Sequence, residues 1–265
     1  MTALLLLLAV PLVMWLGQTA MRYRHGLPIR WRLDARNAPR NVRTAGRVIT
    51  QATLLAVLLV YPLVRGRSPA DYYGSLLPSS RSALQLVHGA AASILFLSVL
   101  FLVWLITERL TVEIHQSRKR LARRMLLLIP TAILGATIEE LLFRGVVMAD
   151  LLRSLPDLPS IAVALSVLVF AGAHYVRTVK RRWTFPGHLM LGLLLCLAFL
   201  RTGSLWLPIG LHAGGILMIM GTRPFFEYRG PAWLTGASIF PFAGVVGIAG
   251  LGLLTAFVMT YYGAR

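Results

Sequence analysis

Eight apolar runs divide this chain, at roughly 2–20, 46–64, 82–106, 125–149, 160–176, 186–200, 204–221 and 239–262. Most approach the length of about 20 residues that a helix needs to cross a bilayer. In lipid the backbone has no water to bond with, and a helix satisfies its N–H and C=O groups within one segment. The chain is 57% hydrophobic and 14% charged, with a mean hydropathy of +0.72, a profile that excludes an ordinary soluble globule. The expectation is an all-α polytopic membrane protein, with about eight transmembrane helices around an intramembrane cavity. It is read as a single integral-membrane domain over 1–265 with its core at about 125–221.

Against that background, Glu139, Glu140 and Arg144 stand out because they lie inside the fourth run. An ionisable residue at membrane depth costs about 2.5–3.5 kcal/mol on insertion scales, so it marks a functional site facing the bundle interior. On an α-helix Glu140 and Arg144 share a face and pair, whereas the i+4 neighbour of Glu139 is Phe143. Glu139 is thus the carboxylate left for chemistry. A plain buried Glu–Arg clamp is the alternative.

Two histidines are similarly deep: His174 in Phe170-Ala171-Gly172-Ala173-His174 and His212 in Gly210-Leu211-His212-Ala213-Gly214-Gly215. Counted along their helices, Glu139 and His174 fall at one depth, about 20 Å from the outer face. His212 starts shallower and needs tilt or a helix break, for which Pro208 offers a place. Gly135, Gly172, Gly214 and Gly215 give either close packing or room for a substrate backbone. Phe170, one turn before His174, is placed to hold the imidazole by ring contact.

A carboxylate and two imidazoles in such a cavity support two chemistries. Glu139 acts as a general base on water while the imidazoles orient it and stabilise an oxyanion. Alternatively Glu139, His174 and His212 ligate zinc with one position open to water. The chain has no H-E-x-x-H motif, which leans toward a metal-free or weakly metal-dependent site, with no cofactor firmly implied.

These residues resemble the CAAX-processing and bacteriocin-processing (CPBP, or ABI) family of intramembrane endopeptidases. Its motifs are E-E-x-x-x-R, F-x-x-x-H and H-x-x-x-N/D. Glu139, Glu140 and Arg144 match the first, Phe170 and His174 the second, and His212 the start of the third, over about 130–215. The resemblance implies a cytoplasm-facing cavity in which Glu139 and His174 activate water, His212 helps hold the oxyanion, and Glu140 with Arg144 supports the site. It also implies a membrane-anchored or lipidated protein or peptide as substrate, cut near the cytoplasmic face.

One position departs from the pattern. Where the third motif has Asn or Asp, this chain has Ile216, and its only asparagines are Asn37 and Asn41. Loss of one oxyanion donor costs about 10²–10³ in rate. Ile216 therefore raises a second reading, a catalytically silent member that binds a membrane peptide as escort or immunity factor. A proton-relay transporter, a third reading, has no visible inverted repeat behind it.

The net charge of +18 would suggest nucleic acid in a soluble protein. Here the basic residues fall between apolar runs with no nucleic-acid module, and they fit anionic lipid contact and membrane orientation instead. Loops one, three, five and seven carry 20 Lys and Arg residues, against 6 in loops two, four and six and the C-terminal end. The odd loops are therefore expected in the cytoplasm and both termini outside, with the first run a retained helix, and the Leu/Arg/Gly-rich composition suggests a bacterial plasma membrane. Cys196 is alone and reads as a core residue. His25, His115 and His188 are expected in solvated positions, and His88 near the start of the third run is a candidate for polar lining.

Overall fold

The structure is a computed structural model describing residues 2–29, 39–79, 82–113, 117–174, 184–236 and 240–262. Arg30, Arg32 and Arg36 of the first basic loop, His115, and the basic cluster from Arg177 to Arg182 lie outside the described residues.

The chain is an all-α polytopic membrane protein. Its helices are α1 (Thr2–Arg24), α2 (Arg40–Val64), α3 (Pro69–Leu76), α4 (Ser82–Ile106), α5 (Arg118–Glu140), α6 (Ala149–Ser154), α7 (Pro159–Ala173), α8 (Phe185–Thr202), α9 (Trp206–Thr222), α10 (Ala232–Thr235) and α11 (Val245–Tyr261). Leu141–Met148, between α5 and α6, winds as a π-helix. Arg40–Val64, Leu84–Ile106, Leu121–Ser154 and Phe185–Thr202 are long and apolar enough to cross a membrane, and α7, α9 and α11 are shorter apolar helices. Leu126, Leu134 and Leu253 leave more than half of their surface uncovered, which suits contact with lipid tails and would be costly in water.

Two compact units divide the chain. The first comprises Met1–Ser75 and Leu141–Lys180. In it α1 lies along α2, with Gly17 so close to Ile49 that an added methyl would sit 3.0 Å from that side chain. A buried polar knot then ties α2 and α3 to the π segment and α6. The Tyr61 hydroxyl donates to Asp150 at 3.1 Å, Arg153 donates to the Tyr61 oxygen, and the Tyr72 hydroxyl donates to the Gly145 carbonyl at 2.5 Å. The Tyr61 and Tyr72 rings meet edge to face at 5.6 Å.

The second unit comprises Leu76–Glu140 and Arg181–Arg265. Its centre is the pair α4 and α9, which run parallel: Gly210 lies against Leu86 and Gly214 against Ala90. A methyl at Gly210 would fall 2.2 Å from the Leu86 carbonyl oxygen, so only glycine permits this approach. Ser93 donates to the Leu211 carbonyl at 2.6 Å across the same seam. α5 also packs on α9, and α8 packs on α11.

Short connections mark the ends of this unit. After α4, β1 (Leu110–Val112) pairs antiparallel with β2 (Phe226–Tyr228), which follows α9. At the other end Leu205 N–H donates to the Leu76 carbonyl and the Trp206 indole to Pro78, joining the approaches to α4 and α9.

Several expectations change. α5 begins seven residues before the predicted run, at Arg118, because basic residues with long aliphatic stems carry the helix beyond the apolar stretch. The last helix starts at Val245 rather than near 239, since Pro241 and Gly244 shape a short 3-10 turn before it. α9 is continuous through Pro208, which sits in its first turn where no amide donor is missed. His188 is buried rather than solvated: its Nδ1 donates to the Thr184 carbonyl at 2.8 Å, and its ring packs against Phe240 and Phe242.

Candidate active site

α5 ends at Glu140, so both motif acids occupy its last turn, and α9 brings His212 to them. His212 Nδ1 lies 2.8 Å from Oε1 of Glu140, and its Nε2 lies 3.6 Å from Oε2 of Glu139. One imidazole is therefore flanked by both carboxylates. Glu140 is fully buried, whereas Glu139 keeps 37% of its side chain exposed.

The geometry assigns the proton on His212. A carboxylate oxygen at 2.8 Å from Nδ1 accepts a hydrogen bond, which fixes the ring and turns Nε2 toward Glu139. The expected partner of Glu140 was Arg144 through α-helical spacing. A short bond to Glu140 comes from His212, and the winding beyond Glu140 is π rather than α.

A second cluster forms within the first unit. The Arg144 guanidinium stands 4.5 Å over the Phe170 ring, and Phe143 meets the same ring edge to face at 5.1 Å. Arg144 and Phe170 are both fully buried. His174 caps the end of α7; its ring lies 4.7 Å from that of Phe170, and its Nδ1 donates to the Phe170 carbonyl at 2.8 Å. That bond places the ring proton of neutral His174 on Nδ1. Phe170 thus joins a cation, an aromatic edge and an imidazole, a role its sequence position one turn before His174 only hinted at.

Around these side chains the glycines differ. Gly214 and Gly210 are packing residues against α4, while a methyl at Gly135 or Gly215 would meet nothing within 4 Å among the described residues. Ile216 is half-buried one turn beyond His212. His88 approaches the Tyr262 hydroxyl at 3.4 Å, and His25 bonds to Asn41 at an exposed position. Among the described residues no three His, Cys, Asp or Glu side chains are grouped to hold a metal ion.

Residues 121–218 match a family model described as type II CAAX prenyl endopeptidase Rce1-like. Over those residues the chain is similar to the Rce1-like family. The matched segment runs from α5 through most of α9 and contains every residue of both clusters. That similarity supports a CAAX-protease-type enzyme of the membrane. No curated protein and no solved structure gives a match.

Proposed function

We propose that the chain is an intramembrane endopeptidase in which Glu139 is the general base that activates water. The observation that carries this reading is the asymmetry at His212: the buried Glu140 holds Nδ1, and the partly exposed Glu139 faces Nε2. Glu139 takes a proton from the attacking water and passes it to the neighbouring Nε2 of His212; the imidazolium so formed, held at Nδ1 by Glu140, faces the oxyanion and gives that proton to the leaving amine. The family motif that Phe170 and His174 match would give His174 a share in positioning the water; within its own unit the Phe170 carbonyl orients that imidazole, and the Arg144 guanidinium lies over the Phe170 ring. No step in this scheme requires a metal. The substrate is a polypeptide held at the membrane by a lipid, as the prenylated substrates of CAAX proteases are, and the basic loops rest on anionic lipid.

The test is cleavage of a farnesylated CAAX-type reporter in membranes containing the wild type or Glu139→Gln, with the membrane proteomes compared in parallel. Products that depend on Glu139 support the peptidase. Identical proteomes and an uncut reporter would leave the silent binder that Ile216 suggests.

A further inference from the structure

Phe143 and Arg144 are consecutive on the π segment, and both stand against Phe170. A cation is drawn to an aromatic face by the charge distribution of the ring, most strongly where water is excluded, as it is around the fully buried Arg144 and Phe170. The Phe170 ring in turn lies 4.7 Å from that of His174. The course of the backbone at 143 and 144 therefore decides how Phe170, and beside it His174, are set.

The next residue, Gly145, is buried and has no side chain with which to anchor the turn, but its carbonyl accepts the Tyr72 hydroxyl at 2.5 Å. Tyr72 is itself fixed on several sides. Its ring is 3% exposed, meets those of Tyr61 and Tyr73 edge to face at 5.6 and 5.1 Å, and lies 5.4 Å beneath the Arg67 guanidinium. The start of α3, which carries Tyr72, is capped: Ser68 Oγ accepts from the Asp71 N–H at 3.1 Å and donates to the Asp71 carboxylate at 2.5 Å. Arg67 adds a bond to the Asp71 carbonyl at 2.9 Å. A phenylalanine at 72 would fill the same space; the hydroxyl adds the bond to Gly145. Residues that do chemistry need to be held to within about 0.5 Å, and a misplacement of about 1 Å can cost about 10² in rate. α3 lies outside the matched segment 121–218, so the family similarity gives Tyr72 no role.

We propose that Tyr72 is a positioning residue for the peptidase reaction. Through the Gly145 carbonyl it holds the π turn that carries Phe143 and Arg144, and through Phe170 it sets His174. Its role rests on the peptidase reading, in which His174 shares in placing the water. A residue that acts in this way changes turnover rather than substrate binding.

α3 supplies the control. The Tyr73 hydroxyl donates to the Leu58 carbonyl of α2 at 2.8 Å, a bond to α2 and not to the π turn, and Tyr73→Phe keeps the ring contact with Tyr72. Cleavage of a farnesylated CAAX-type reporter by the full chain in liposomes is measured for the wild type, Glu139→Gln, Tyr72→Phe and Tyr73→Phe, with thermal midpoints alongside. Tyr72→Phe is expected to lower kcat by about tenfold to a hundredfold. Its KM, and both constants of Tyr73→Phe, should stay within about twofold of the wild type, and the two variants should share a thermal midpoint. In a Phe170→Leu background, which lacks the ring between Arg144 and His174, Tyr72→Phe should change kcat by less than about twofold. Equal losses of kcat in the two tyrosine variants, a rise in KM alone, or a Tyr72→Phe chain that no longer folds would make Tyr72 a residue of binding or of the fold and overturn the proposal. A Tyr72→Phe effect that persists undiminished in Phe170→Leu overturns it as well. Glu139-dependent cleavage that Tyr72→Phe leaves unchanged sinks the positioning role and leaves the peptidase reading standing. A wild type that does not cut, or cuts no better than Glu139→Gln, sinks the peptidase reading and the role of Tyr72 with it.

Discussion

Glu139 and Glu140 are neighbours with the same chemistry, and their surroundings separate them. Glu140 is enclosed and bonded to His212, so Glu140→Ala would leave a buried imidazole donor without its acceptor. A loss of about 1–3 kcal/mol in stability is expected, read as a lower thermal midpoint in detergent. Glu139→Gln removes only a partly exposed charge near Nε2, and should keep the midpoint while abolishing reporter cleavage. An unstable Glu139→Gln beside a stable, inactive Glu140→Ala would reverse these roles. Ile216 carries the third test at this scale. If turnover lacks one oxyanion donor, Ile216→Asn raises the cleavage rate and Ile216→Leu does not, with an upper limit of about 10²–10³. An unchanged rate in Ile216→Asn would show that another group already serves the oxyanion.

At the scale of the element, the glycines of α9 separate packing from open space. Gly210→Ala drives a methyl into the Leu86 carbonyl, so α4 and α9 must part, and the fold should lose about 1–3 kcal/mol or more. Gly215→Ala, five residues on, meets nothing among the described residues and should leave the thermal midpoint unchanged. Equal midpoints for the two variants would refute the close seam. The π segment offers a similar contrast. Its Gly145 carbonyl accepts from the Tyr72 hydroxyl, so Tyr72→Phe keeps the ring and removes one buried bond. We expect faster amide exchange across 141–148 with little change in α4 or α9, measured by mass spectrometry; unaltered exchange there would show that the bond does not steady the segment. Helical spacing could not foresee the bond to this segment, because Tyr72 comes from 73 residues away in sequence.

For the whole molecule, the pairing of β1 with β2 makes a prediction that no local pattern contains. Thr111 and Glu227 are opposed in the ladder, so a Thr111→Cys, Glu227→Cys pair in a Cys196→Ser background should close a disulfide under mild oxidation. Failure to close would mean that the connections after α4 and α9 do not share an end. The apolar runs, the helical class and the three motifs were legible in the sequence because each follows from a local cause: helix length set by the bilayer, and charge placed where lipid forbids it without a reason. Glu139, Glu140, Arg144, His174 and His212 were all visible for that cause, and Phe170 by its place one turn before His174. The ring contact of Phe170 with His174, one turn apart, was visible too; that His212 lies between Glu139 and Glu140 was not. His212 was expected to need tilt or a helix break; α9 is unbroken, and Gly210 and Gly214 set how closely and at what level it lies on α4. The bond of Glu140 to His212 spans 72 residues, and the burial of His188 depends on Phe240 and Phe242 arriving from another segment. Sequence determined which residues are costly to bury; the tertiary structure decided their partners, because a partner is supplied by whichever helix packs alongside and not by spacing along one helix.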